Sequence, residues 1–137
     1  ILEQSTQFGT RAVMAQEYLP AIREGDKRIL LLEGELLGAV LRVPAPKEVR
    51  ANLHVGGTAE KAELTAADLK IIERVGPVLK RHGLFFVGID VIGDRLTEIN
   101  VTSPTGVQEI NTLDNTCLEA KVMDAVEAKF GAGSGKP

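Results

Sequence analysis

The stretch Phe86–Gly106, FVGIDVIGDRLTEINVTSPTG, constrains the fold more than any other part of the chain. Two apolar, β-branched runs flank the pair Gly93-Asp94, the pattern of a β-hairpin. A hairpin joins antiparallel strands, so a purely parallel sheet is excluded here. The same stretch carries three hard oxygen ligands, Asp90, Glu98 and Asn100. A carboxylate facing a carboxylate and an amide at i and i+2 on the next strand suits Mg²⁺, with positions left for water and phosphate oxygens. The amide ligates without adding a third negative charge. A chain built this way is expected to handle a nucleoside triphosphate.

Whether those side chains meet depends on register. Side chains alternate along a strand, so Phe86, Gly88, Asp90 and Ile92 share a face, as do Glu98 and Asn100. A two-residue loop at Gly93-Asp94 pairs Asp90 with Thr97 and sends Glu98 to the opposite face. A three-residue loop, Gly93–Arg95, pairs Asp90 with Glu98 and Gly88 with Asn100. The metal reading requires the second register. The alternative is that Glu98 and Asn100 face solvent on an edge strand.

Elsewhere the pattern reads as follows. A helix fragment covers Leu2–Gln7 and a short strand Ala12–Glu17, which Tyr18-Leu19-Pro20 breaks. The continuous apolar run RILLL within Lys27–Leu32 reads as a buried strand. Glu33-Gly34 is its turn and Leu36–Val43 its return. From Pro44 to Glu63 neither a 3.6 nor a 2.0 period survives, and a loop of about 20 residues in a compact domain is often a lid. Gly56-Gly57 supplies a hinge, and a merely tolerated insertion is the plain alternative. Thr65–His82 is a helix capped by Thr65, with Asp68 in its first turn and Leu69, Ile72, Val75 and Leu79 on one apolar face. Pro77 is expected to kink it. Leu84–Ile92 and Leu96–Val101 form the second hairpin, and Asp114–Phe130 a final helix. Two hairpins and these helices make an α+β fold, an antiparallel sheet with helices packed on one face. The domain is expected over residues 1–130, with the lid at 44–63 and a flexible Gly/Ser/Pro-rich tail at 131–137.

Composition narrows function by exclusion. The 137 residues suffice for one domain, and the net charge of −3 argues against a dedicated nucleic-acid binder. No segment approaches the roughly 18 apolar residues of a membrane span. One cysteine, Cys117, allows no internal disulfide, which points to a reducing cytoplasm. The start at Ile1, inside a helix with no cap, suggests that more protein precedes it. Arg28 and Arg42 interrupt apolar strands, where each charge needs a partner: an anionic ligand or a salt bridge. Lys47 and Arg50 lie nearby in sequence, on the long loop. Ser103 and Thr105 follow the second hairpin in a hydroxyl-rich turn, fit for substrate or for simple turn formation. His54 and His82 read as structural or solvent-facing groups, and Cys117 as an ordinary thiol.

Together, MAQEYLPAIREGDKRILLLEGE, LRVPAPKEVRANLHVGG and GLFFVGIDVIGDRLTEINVTSPTGVQEI resemble the carboxy-terminal half of a prokaryotic glutathione synthetase, an ATP-grasp ligase, from about Arg11 to Phe130. That resemblance implies Asp90, Glu98 and Asn100 as ligands of Mg²⁺ (or Mn²⁺). It places Gln16, Glu17, Tyr18 and Leu19 against adenine and Asp26 near the ribose. Arg28 and Arg42 would face phosphates and the reacting carboxylate. Arg50 and Asn52 fall on the lid, with Asn52 toward nucleotide and Arg50 toward substrate. Ser103 and Thr105 fall where γ-glutamylcysteine is held. Ala51 departs from the family, in which many members have Gly. ATP, γ-glutamylcysteine and glycine are the implied substrates, and a homo-oligomer the implied full-length state, with no nucleic acid and no membrane. Another ATP-grasp ligase with a different acceptor, or a non-catalytic module with a solvated acidic face, are the competing readings.

Overall fold

In the computed structural model, residues 2–45 and 57–131 are described. Five strands form one sheet: β1 Asp26–Leu32, β2 Glu35–Val43, β3 Thr58–Lys61, β4 Phe86–Ile92 and β5 Arg95–Asn100. Their spatial order is β3-β2-β1-β4-β5, and every neighbouring pair is antiparallel. The helices are α1 Leu2–Ser5, α2 Ala66–Arg81, α3 Val107–Asp114 and α4 Leu118–Phe130, with a short 3₁₀ turn at Pro20–Glu24. The α+β class and antiparallel sheet match the reading from sequence.

Both hairpins close through two-residue loops. Glu33 and Gly34 have φ of 50° and 80°, the left-handed pair of a type I′ turn, whose twist matches the strands. Gly93 has φ 61° at the first loop position, where a side chain would be strained.

Helices cover both faces of the sheet, not one. Ile29, Leu31, Val87, Ile89 and Val91 pack with Ile72 and Leu79 of α2. On the other face, Leu30 and Val40 pack with Ile110 of α3 and Leu118 of α4. The cause lies in β1: Ile29, Leu30 and Leu31 are all fully buried, so the run without alternation has two faces to hide. Burying each such side chain is worth about 1.5–3 kcal/mol. Leu69, placed by its spacing on the core face of α2, is half exposed, and Asp68 and Gly76 are buried instead.

Thr65 and Asp68 form a reciprocal capping box at the start of α2. Asp68 also takes a hydrogen bond from Lys27, which ties the helix to β1. α2 continues through Pro77 to Arg81.

Three further expectations change. Residues 12–19 carry no strand; they are largely exposed and pair with no sheet edge. Part of the expected lid, Thr58–Lys61, is the edge strand β3, which pairs with Val40–Val43. The final helix begins at Leu118 and not at Asp114, because the chain breaks at Asn115 (φ 49°) after a separate helix, α3. Residues 46–56 of the expected lid lie outside the described residues, and 44–45, 57 and 62–63 carry no helix or strand.

A charged row at one end of the sheet

Strand pairing gathers the predicted polar residues into neighbouring positions. Asp26 faces Arg42 across β1 and β2. Arg28 faces Asp90 across β1 and β4. Asp90 faces Glu98, and Gly88 faces Asn100, across β4 and β5. Alternation puts all six charged or amide side chains on the face that α3 and α4 cover farther along. Register therefore favours a shared site, but by a different route from the one expected. The loop has two residues, not three, and a bulge between Asp90 and Val91 supplies the missing shift.

Buried charge must be paired, and here it is paired as a network. Arg28 grips Asp90 bidentately, Nε donating to Oδ1 and Nη2 to Oδ2, the latter at 2.9 Å. Arg42 Nη2 lies 2.8 Å from Asp90 Oδ2 and also donates to Asp26 Oδ2. Arg28, Arg42 and Asp90 are each at most 9% exposed. Burial alone would push Asp90 upward in pKa, but hydrogen bonds from Arg28 and Arg42 overcome it and hold the carboxyl low. Asp26 goes the other way, to about 6: its burial dominates, Arg42 opposes it, and nearby Asp90 adds repulsion. One guanidinium serves two carboxylates. Among the described residues, Asp26 Oδ1 and Arg42 Nε are buried without a hydrogen-bond partner.

The row lines a cavity of about 860 Å³, within the size range of small-molecule sites. Asp26, Arg28, Arg42, Asp90 and Glu98 form a charged side; Tyr18, Leu19, Ile22, Ile92 and Leu96 bring apolar surface. Gln16 and Glu17 also line it. Such a pocket suits a ligand with a flat apolar end and an anionic end. Sequence reading missed Ile22, Ile92, Arg95, Leu96 and Thr97 as lining residues. The signal available was position: four of them lie within three residues of the Gly93-Asp94 turn.

Thr105 joins this network through Arg28, whose Nη1 donates to its main-chain oxygen at 3.2 Å and lies 3.4 Å from its hydroxyl. Ser103 is exposed, in a left-handed conformation (φ 46°), and does not line the cavity. The loop 101–106 folds onto Gly88, where a Cβ would meet Pro104 Cβ at 2.8 Å and Arg28 Cδ at 3.2 Å. Arg50 and Asn52 lie outside the described residues.

Among the described residues, no group of three His, Cys, Asp or Glu could hold a metal ion. Glu98 and Asn100 are neighbouring oxygen donors beside Asp90, of the hard kind that divalent cations take. The Asn100 amide stands between Glu98 Oε1, at 2.8 Å, and Arg28 Nη2, at 3.3 Å. Its nitrogen donates to Glu98 Oε1 and its oxygen accepts from Arg28 Nη2. Asp90 is engaged by two arginines, so ligating a metal would require it to exchange one of them.

The family described as prokaryotic glutathione synthetase, ATP-grasp domain, matches residues 1–115. The chain belongs to that family. Glutathione synthetase from Agrobacterium fabrum is 50% identical over 96% of this chain. The enzyme of that name from Thermosynechococcus vestitus is 56% identical over 90%, and that from Escherichia coli K12 52% identical over 95%. The chain spans about two fifths of the length of these curated relatives, at 41%, 39% and 42%. No helix among the described residues is long and apolar enough to cross a membrane.

Proposed function

We propose that this chain is the carboxy-terminal ATP-grasp part of a ligase that joins γ-glutamylcysteine to glycine at the expense of ATP. The observation that carries the reading is the Arg28–Asp90–Arg42 network on one wall of the cavity, with Glu98 and Asn100 beside it. The family and the relatives' names supply the reaction.

In this reading the cysteinyl carboxylate attacks the γ-phosphate of ATP, and the β–γ bridging bond breaks to release ADP. The glycine amine then adds to the acyl phosphate carbonyl, loses a proton, and expels phosphate. Arg28 and Arg42 act as cations held in place before the reaction, where charge develops on phosphoryl oxygens. Their carboxylate partners hold the guanidinium planes ready, so little reorganisation accompanies the step. Glu98 and Asn100, with Asp90 adjacent, would hold Mg²⁺ (or Mn²⁺), which neutralises phosphate charge when bound. Tyr18, Leu19, Ile22 and Leu96 exclude water around the base. Asp26 sits at the junction of apolar and charged walls, where a ribose hydroxyl would reach it. Thr105 and Ser103, in one loop, are assigned to γ-glutamylcysteine; the resemblance assigns Arg50 to the same substrate and Asn52 to the nucleotide. A cytoplasmic location agrees with the lone cysteine, and the homo-oligomeric full-length state rests on the resemblance.

The test is ADP release from the complete protein with γ-glutamylcysteine and glycine, against other dipeptides and D-alanine. Turnover confined to the first pair is expected. Equal turnover with D-alanine would replace this reading with another carboxylate–amine ligase. Nucleotide-dependent stabilisation in the presence of Mg²⁺ should also be lost in Glu98→Gln. A non-catalytic module would show no such loss.

A further inference from the structure

β4 and β5 join through two residues, and regular pairing from such a loop would place Asp90 opposite Thr97. Instead Leu96 faces Val91 and Glu98 faces Asp90, with Thr97 as the one unpaired residue between them. A slip of one residue back to the regular ladder would turn Glu98 and Asn100 to the face of Ile89. That face is packed against α2, so Glu98 would also be lost from the cavity. Two features oppose the slip. Ile89 faces Ile99 in the observed register, an apolar cross-strand pair. The second is Thr97 itself: its hydroxyl donates to the Asp90 main-chain oxygen at 3.1 Å, across the bulge. A bulge disrupts the ladder around its extra residue, and this hydrogen bond closes the gap with a side chain.

We propose that Thr97 is a positioning residue: its hydroxyl locks the bulge that keeps Glu98 and Asn100 on the side of Asp90. The inference rests on the reading of Glu98 and Asn100 as the divalent-cation pair. Thr97 touches no reacting atom in this account. It acts by setting which strand face two other residues occupy. Without the hydroxyl, only a fraction of molecules holds the competent register, and apparent metal affinity falls by that fraction.

The experiment measures Mn²⁺ binding by electron paramagnetic resonance in the complete protein with ADP present. Wild type, Thr97→Val, Thr97→Ser and Glu98→Gln are compared. ADP affinity without metal is measured alongside, because a general loss of structure would lower it as well. Thr97→Val is expected to weaken Mn²⁺ binding by roughly tenfold, a much larger loss than any in metal-free ADP affinity, with Thr97→Ser restoring most of it. Wild-type Mn²⁺ affinity in Thr97→Val, beside a loss in Glu98→Gln, would overturn the role of Thr97 and leave the metal reading standing. An equal loss in Thr97→Ser would overturn it too, since the hydroxyl is then not the cause. Unchanged affinity in Glu98→Gln would remove the metal reading and this inference with it. Should Thr97→Val not fold, Thr97→Ala takes its place with the same outcomes.

Discussion

Gly34 and Gly76 meet backbone to backbone: a Cβ on Gly76 would stand 2.3 Å from the Gly34 carbonyl oxygen, and one on Gly34 2.5 Å from that of Gly76. The tight turn between β1 and β2 thus lies directly on α2, and neither partner has a flexible side chain that could yield. In an exposed helix Gly→Ala would stabilise by about 1 kcal/mol. Here Gly76→Ala is expected to destabilise instead, by about 1–3 kcal/mol, because helix and turn must separate. Chemical denaturation measures it; a gain in stability would show that the close approach is not maintained.

Arg28 and Asp90 form the most deeply buried ion pair of the site, with side chains 9% and 5% exposed. Removing Arg28 leaves the buried Asp90 with Arg42, which it shares with Asp26, as its charged partner. Arg28→Met is expected to cost about 1–3 kcal/mol. The double variant Arg28→Met with Asp90→Leu should recover much of that loss while ligase activity stays absent. Unfolding midpoints of the single and double variants decide it, and additive losses would argue against a coupled pair.

Opposite pKa shifts at two aspartates predict opposite slopes of stability with pH. Asp26 is raised from 3.8 to about 6, chiefly by burial, so the folded state holds its proton more tightly than the unfolded chain. Its contribution is complete below about pH 4 and lost as pH rises through about 6. Asp68 is lowered: burial would raise it, but hydrogen bonds from Lys27 and Thr65 prevail. Its contribution is present above its ordinary value and lost as pH falls. Between about pH 4 and 6 Asp26→Asn should make stability rise more steeply with pH, and below about pH 4 Asp68→Asn should make it rise less steeply. Urea midpoints over the range would contradict this if Asp26→Asn kept the wild-type slope.

Gly88 leaves room for Pro104 and for the Arg28 stem, and a methyl group there would stand 2.8 Å from Pro104 Cβ. Gly88→Ala should shift the loop 101–106 and Arg28 together. A misplacement of about 1 Å near reacting groups costs up to about a hundredfold in rate, so kcat should fall much further than stability, which should drop by about 1–2 kcal/mol. Parallel steady-state kinetics and melting curves test this; wild-type kcat would mean that the loop yields freely.

Local chemistry alone made much of this protein legible. The two turns follow from Glu33-Gly34 and Gly93-Asp94, and the start of α2 from Thr65 and Asp68, because capping and positive φ involve only residues close in sequence. The chemical types of the site residues were legible too, since a charge inside an apolar strand announces a need for a partner. What those partners are was decided by the sheet. Arg28 meets Asp90, 62 positions away, only because β1 and β4 pair. Asp90 meets Glu98 only because a bulge absorbs Thr97, and the alternative registers differ by the packing of Ile89 and Ile99, which no local window contains. β3 escaped notice for the same reason: four mostly exposed residues carry no periodic signal and become a strand because β2 offers them an edge. Leu69 kept the right spacing and still lies half exposed, since the face of α2 that is buried depends on where the sheet stands. Short-range preference is written residue by residue. Which surfaces touch is settled by competition among distant pairs, and only the folded chain holds that competition.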